Sequence, residues 1–137
     1  MGTVYAVNTL PWLKDVQYTQ QDALYPMRLD QLEQKYRLEK EKYEHYLTEP
    51  VVIQPAAVFQ ALAVLPFSNS AVELVPDNVL KVTLVLPQDL MLMLSMPTHE
   101  KGQAPVFSLF RDSEALVIDQ RPLEKIIQGV QQVLREY

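Results

Sequence analysis

The chain contains no cysteine, and it has only three glycines and two histidines among 137 residues. Without cysteine it can form no disulfide, no thiolate zinc site and no thiol nucleophile. Three scattered glycines cannot build a phosphate-binding loop or a dinucleotide-binding fingerprint. We therefore expect no bound metal and no cofactor, and the lack of cysteine is consistent with a reducing compartment.

Catalytic patterns are also scarce. Neither His45 nor His99 belongs to a spacing that is typical of metal ligands, and no serine lies in a nucleophile elbow. His45 follows Glu41 by one helical turn, a pairing that is common on solvated helix surfaces. An enzymatic hypothesis would have to use Asp89, His99 and Glu100, and we assign no catalytic residue.

Charge and hydropathy narrow the classes of partner. The net charge is −5, so the field of the protein repels phosphate backbones and anionic lipids. The most apolar stretch, 51–67, is interrupted by two prolines and is shorter than a membrane span. The first residues lack the basic and apolar regions of a signal peptide. We expect a cytoplasmic protein that binds no nucleic acid and does not insert into membranes.

The proportions of apolar and charged residues, 48% and 21%, are those of a folded globular protein. A length of 137 residues matches the commonest size of one domain. The sequence predicts a single α+β domain over residues 1–137.

Three helices are predicted. Apolar residues recur every three or four positions over 27–48, with opposite charges four apart, such as Lys35 and Glu39, on the other faces. An alanine-rich segment between Pro55 and Pro66 indicates a short apolar helix of about three turns with almost no wet face. The last helix begins at Pro122, and Gly129 within it suggests a close helix-to-sheet contact.

Strands are indicated by alternation of apolar and polar residues. A short strand is predicted over 3–9, followed by an irregular segment over 10–26. The runs 71–75, 79–86 and 90–96 form a meander, and 106–111 with 115–119 form a hairpin. Strands that follow one another before a final helix favour an antiparallel sheet packed by helices, the α+β class.

Two apolar patterns are candidates for a partner-binding surface. The long helix carries leucines and tyrosines at heptad-like spacing, and one strand has methionines on the face opposite its leucines. Tyrosine and methionine are both frequent at interfaces, but each pattern also fits a buried core. The candidate residues are Leu29, Leu32, Tyr36, Tyr43, Tyr46, Met91 and Met93.

Three functional classes follow. The first is a non-enzymatic interaction module, such as an adaptor, assembly factor or chaperone-like protein, which binds a protein partner or a second copy of itself. The second is a small-molecule-binding or sensory domain with a pocket between sheet and helices, lined by Trp12, Met93, Phe107 and Phe110. The third is an enzyme that uses Asp89, His99 and Glu100. The first accounts best for apolar faces without catalytic motifs.

Overall fold

The computed structural model describes residues 23–47, 55–76, 79–97 and 104–136. In chain order they form α1 (Tyr25–Leu47), α2 (Ala56–Leu62), β1 (Asn69–Val75), β2 (Val79–Val85) and β3 (Leu90–Pro97), followed by β4 (Val106–Arg111), β5 (Glu114–Gln120) and α3 (Leu123–Arg135). The predicted α+β class, with its antiparallel meander and hairpin, is confirmed. The strand predicted over 3–9 and most of the irregular segment lie outside the described residues.

The five strands form one antiparallel sheet in the order β1-β2-β3-β4-β5. Each strand pairs with the next one along the chain, so that every connection is a hairpin. Residues with positive φ lie in the tight turns, at Gln88 and Asp89 between β2 and β3, and at Asp112 and Ser113 between β4 and β5. Positive φ at both central residues matches the right-handed twist of the strands.

All three helices cover the same face of the sheet. Buried residues of β2 and β3, such as Leu84 and Leu92, belong to one apolar cluster with Leu32 of α1, Phe59 of α2 and Ile127 of α3. The core is therefore a single layer between helices and sheet. In the described part of the chain no helix packs on the opposite face.

The helices differ from the prediction at their ends. The first helix begins at Tyr25, two residues before the predicted start, because proline at position 26 is tolerated in a first turn. The second helix ends at Leu62, earlier than predicted. After Leu62 the chain forms a tight turn, in which the Leu65 amide donates a hydrogen bond to the Leu62 carbonyl just before Pro66. The first residues of α2, Ala56 and Ala57, are exposed to solvent, although the sequence predicted a helix with almost no exposed face.

The long helix is joined to β1 by polar side chains. Lys35 donates to the carbonyl of Ser70, and its Nζ lies 3.2 Å from the hydroxyl oxygen of the same residue. Glu39 accepts a bond of 3.4 Å from the amide of Leu74, and it pairs with Lys42. The sequence predicted that Lys35 and Glu39 form an ion pair with each other. Instead, both side chains form hydrogen bonds with backbone groups of the edge strand β1 that have no partner strand.

Gly129 does not mark a close helix-to-sheet contact, so that prediction is wrong. An added Cβ at this position meets no atom within 4 Å. The residue lies inside α3, where glycine costs backbone entropy without any steric need for it. Its presence has no structural explanation in the described residues.

Replacing Gly129 with alanine should therefore stabilise the protein by about 0.5–1 kcal/mol, because alanine loses less backbone freedom in a helix. Urea denaturation followed by circular dichroism measures the change. A matched control is Gln132→Ala on the exposed side of α3, which should change the free energy of unfolding much less. Destabilisation by Gly129→Ala would show that the space beside the helix is filled.

Candidate binding surface

The sheet has a second face that no described helix covers, and we call it the open face. It is formed by alternate residues of all five strands, because successive side chains of a strand point to opposite sides. Its exposed or half-exposed apolar members include Val75, Val79, Val85, Met91, Met93, Val106, Phe110 and Ile118.

The strand register brings these side chains together. Val85 lies opposite Met91, which lies opposite Phe110 on the next strand. In the neighbouring row Met93 and Ile118 lie on either side of Ser108, so apolar side chains also occur on the last strand, separated from Met93 by this serine. Directly opposed side chains in antiparallel strands are close enough to form one continuous surface.

Exposure distinguishes the two faces of β3 most clearly. Leu92 is fully buried, whereas its neighbours Met91 and Met93 are 38% and 44% exposed. Ile118 on β5 is 64% exposed. Contiguous exposed apolar side chains on one face are typical of an interaction surface, while isolated ones are ordinary on any protein.

A cavity of about 520 Å³ lies at one end of the open face, beside the two tight turns. Its apolar wall includes Val85, Met91, Met93 and Phe110, and its rim includes Asp89 and Asp112. The two turns are held together by a bond of 3.3 Å from the Asp112 amide to the Asp89 carbonyl. The cavity thus has an apolar wall and an acidic rim.

Beyond Met93 a polar row crosses the first three strands of the open face, with half-exposed Val75 and Val79 on its far side. Glu73 of β1 lies directly opposite Lys81 of β2, which in turn lies opposite Ser95 of β3. Both charged residues are exposed. An apolar area bounded by polar residues is the usual layout of a protein-binding surface.

The predicted site residues of the long helix do not share one surface. Leu32 and Tyr43 are buried, and Leu29 and Tyr36 are half-buried and pack against the core. The ring of Tyr36 meets that of Phe59 edge-on at 5.7 Å. Of this group only Tyr46 is widely exposed, so α1 presents no continuous stripe of tyrosines to a partner.

The environment of Tyr36 also changes its acidity. Burial raises the pKa of its hydroxyl above the ordinary value, and the nearby carboxylate of Glu44 raises it further. The neutral hydroxyl is therefore the form that the folded chain favours. This fits a residue that contributes to packing rather than to proton transfer.

The pocket proposed between sheet and helices is not formed by the residues predicted for it. Phe107 lies buried beneath the helices, while Met93 and Phe110 lie on the open face. Residues three apart in a strand point to opposite sides, so Phe107 and Phe110 cannot line one pocket. Trp12 lies outside the described residues.

The described residues give little support to catalysis, metal binding or membrane insertion. His45 is exposed and its ring contacts that of Tyr46, at 4.9 Å. Asp89 is exposed in a turn, and His99 and Glu100 lie outside the described residues. No group of three histidine, cysteine or acidic residues suited to a metal ion occurs among the residues searched. None of the described helices has the length and hydropathy needed to cross a membrane.

No protein-family model matches the chain, and neither a curated protein nor a solved structure is significantly similar to it. A functional interpretation therefore has to come from the geometry of the open face.

Proposed function

We propose that this chain is a non-enzymatic protein-interaction module, an adaptor, assembly factor or chaperone-like protein, which binds its partner through the open face. One observation supports this most strongly: a sheet whose leucine face is sealed by three helices carries a second apolar face with exposed methionines. Exposing such a surface to water is unfavourable by roughly 25 cal/mol per Å², so covering it provides a driving force for association.

The chemistry of the face favours a protein partner. Met91 and Met93 have flexible, polarisable side chains that can adapt to apolar groups of irregular shape. The acidic rim at Asp89 and Asp112 favours basic residues around the apolar part of a partner. Nucleic acid is disfavoured by the same rim and by the net charge of −5.

A small-molecule-binding function is the second candidate, and the cavity of about 520 Å³ favours it. This volume lies in the range that is typical of small-molecule sites, and the wall of the cavity is apolar. The ligand would lie on the open face rather than between sheet and helices. Native mass spectrometry of the purified chain would detect a retained ligand as an added mass, which Met93→Glu should abolish.

The principal test is affinity capture from the native source with matched variants. The double variant Met91→Glu and Met93→Glu places two charges in the apolar part of the open face and leaves the buried leucines unchanged. Leu38→Glu is the control, because Leu38 is an exposed apolar residue of α1, away from the open face. We expect partners captured by the native chain and by Leu38→Glu to be depleted about tenfold or more by the double variant, as a loss of 1.4 kcal/mol or more implies.

Circular dichroism and thermal unfolding must show that the double variant is folded. If it captures the same proteins at the same levels as the native chain, the open face is not the binding surface. If Leu38→Glu alone removes the partners, the outer surface of α1 binds them instead.

A further inference from the structure

The rim of the cavity on the open face carries charge of one sign only. Asp89 and Asp112 are both exposed there, and neither carboxylate forms an ion pair with another described residue. Among the described residues that line the cavity none is basic. The rim therefore attracts positive charge, while the wall attracts apolar groups.

The two turns that form the rim are fixed in place. Besides the bond that joins them, the Nε2 atom of Gln88 donates to the Leu134 carbonyl of α3 at 3.2 Å. The Nε atom of Arg111 donates to the Gln88 carbonyl at 3.4 Å. Arg111 lies opposite the buried Leu90, so its side chain belongs to the helix-covered face and not to the cavity. Because the turns are already ordered, binding at the rim costs little backbone entropy.

Both carboxylates lie at backbone positions that disfavour most side chains. The φ angle is 59° at Asp89 and 51° at Asp112. Glycine adopts such angles most easily, yet neither turn contains one. Aspartate and asparagine tolerate them better than other side chains do. Each turn thus retains a carboxylate, and asparagine can replace it while the turn keeps its conformation.

The size of the cavity indicates the kind of occupant. A volume of about 520 Å³ is far larger than one ion needs and matches sites for drug-sized ligands. A peptide segment fills such a volume with a few side chains. Met93 and Phe110 belong both to the cavity and to the open face, so the rest of the segment can lie over the sheet.

We propose that the cavity binds a peptide segment of a protein partner in which an apolar side chain is flanked by lysine or arginine. The apolar side chain packs against Met91 and Phe110, and the flanking cations pair with Asp89 and Asp112. This inference rests on the proposed function, because it names the chemistry of the partner that the open face binds.

Peptide selection from a random displayed library on the immobilised full chain tests this chemistry. We expect the selected peptides to share an apolar residue flanked by lysine or arginine. The double variant Asp89→Asn and Asp112→Asn should keep the apolar preference and lose the basic one. The control, Glu41→Gln with Glu44→Gln, also removes two negative charges, but from the exposed surface of α1. It should select the same peptides as the native chain.

Fluorescence anisotropy with one selected peptide measures the size of the effect. The asparagine variant should bind about three- to tenfold more weakly than the native chain, since exposed ion pairs each contribute little. The glutamine control should bind as the native chain does. The affinity of the native chain should also fall with salt, because the screening length shortens to about 3 Å near 1 M. This salt dependence needs no substitution and decides the matter if the asparagine variant does not fold.

Two results would overturn this inference and leave the open face as the binding surface. One is selection of apolar peptides without basic residues, and the other is equal binding by the native chain and a folded asparagine variant.

Other results would overturn the proposed function together with this inference. They are the selection of no peptide at all, or equal binding of the selected peptides by the double variant Met91→Glu and Met93→Glu. Sedimentation identifies a different occupant: if the native chain is a dimer that this variant separates, a second copy covers the open face, against the inference.

Discussion

Replacing Leu92 with alanine is expected to lower the free energy of unfolding by about 2–5 kcal/mol, the range for large-to-small changes in a core. Leu92 is completely buried in β3, between Leu84 of β2 and Leu109 of β4, which are also buried. Truncation removes apolar contacts on the face of the sheet that the helices cover. It also leaves a cavity that neighbouring leucines can fill only in part. Urea denaturation measures the effect.

The matched control is Met93→Ala, one residue along the same strand. Met93 is 44% exposed on the open face, so its truncation should cost less than about 1 kcal/mol. The two substitutions remove side chains of similar size from adjacent positions, and only the face differs. Equal losses would mean that the open face is covered in the isolated chain, contrary to the structure.

Replacing Arg28 with alanine is expected to lower the free energy of unfolding by roughly 1.5–3 kcal/mol, the range for a hydrogen bond to a charged group. Arg28 is only 6% exposed, its Nε donates to the Ala63 carbonyl at 2.9 Å, and its guanidinium lies 5.9 Å from the centre of the Phe67 ring. The side chain thus joins the start of α1 to the segment between α2 and β1. Without it the Ala63 carbonyl loses its partner.

Arg28→Lys is the informative comparison, because lysine keeps the charge but lacks the planar fork that bonds and stacks together. We expect it to recover only part of the lost free energy of unfolding. Full recovery by lysine would show that charge alone matters, and no loss in Arg28→Ala would show that the contacts to Ala63 and Phe67 contribute little.

The alternation of leucines with other residues in β2 and β3 predicted both the strands and the residues they bury. The broad apolar stripe after Pro122 likewise predicted α3. These elements follow from local periodicity, because a buried face repeats every two residues in a strand and every three or four in a helix. Periodicity shows which residues share a face, and that was enough for the fold class.

Periodicity does not show whether another layer covers a face. Leu92 and Met93 are both apolar, and the sequence left open whether helices pack on both sides of β3. Leu92 is buried and Met93 is exposed because all three helices pack on the side of the sheet where Leu92 lies. This packing depends on parts of the chain that are distant in sequence. The same holds for Lys35 and Glu39, whose contacts with β1 depend on where α1 lies.

One error could have been avoided from the sequence alone. Phe107 and Phe110 were assigned to one pocket, although a separation of three residues puts them on opposite sides of a strand. By contrast, no local signal indicates that Arg28 lies buried over Phe67, since arginine at the start of a helix is ordinarily exposed. Such a contact can be found only once the fold is known.

The most direct test of the central claim compares methionine oxidation by hydrogen peroxide in the free chain and in the complex isolated from its native source. Met91 and Met93 lie on the open face, and Met27, 57% exposed on α1, is the reference within the same chain. We predict that binding slows oxidation of Met91 and Met93 at least about tenfold, since thioether oxidation follows exposure, and leaves Met27 unchanged. Unchanged oxidation of Met91 and Met93 in the complex would contradict the assignment of the open face as the binding surface.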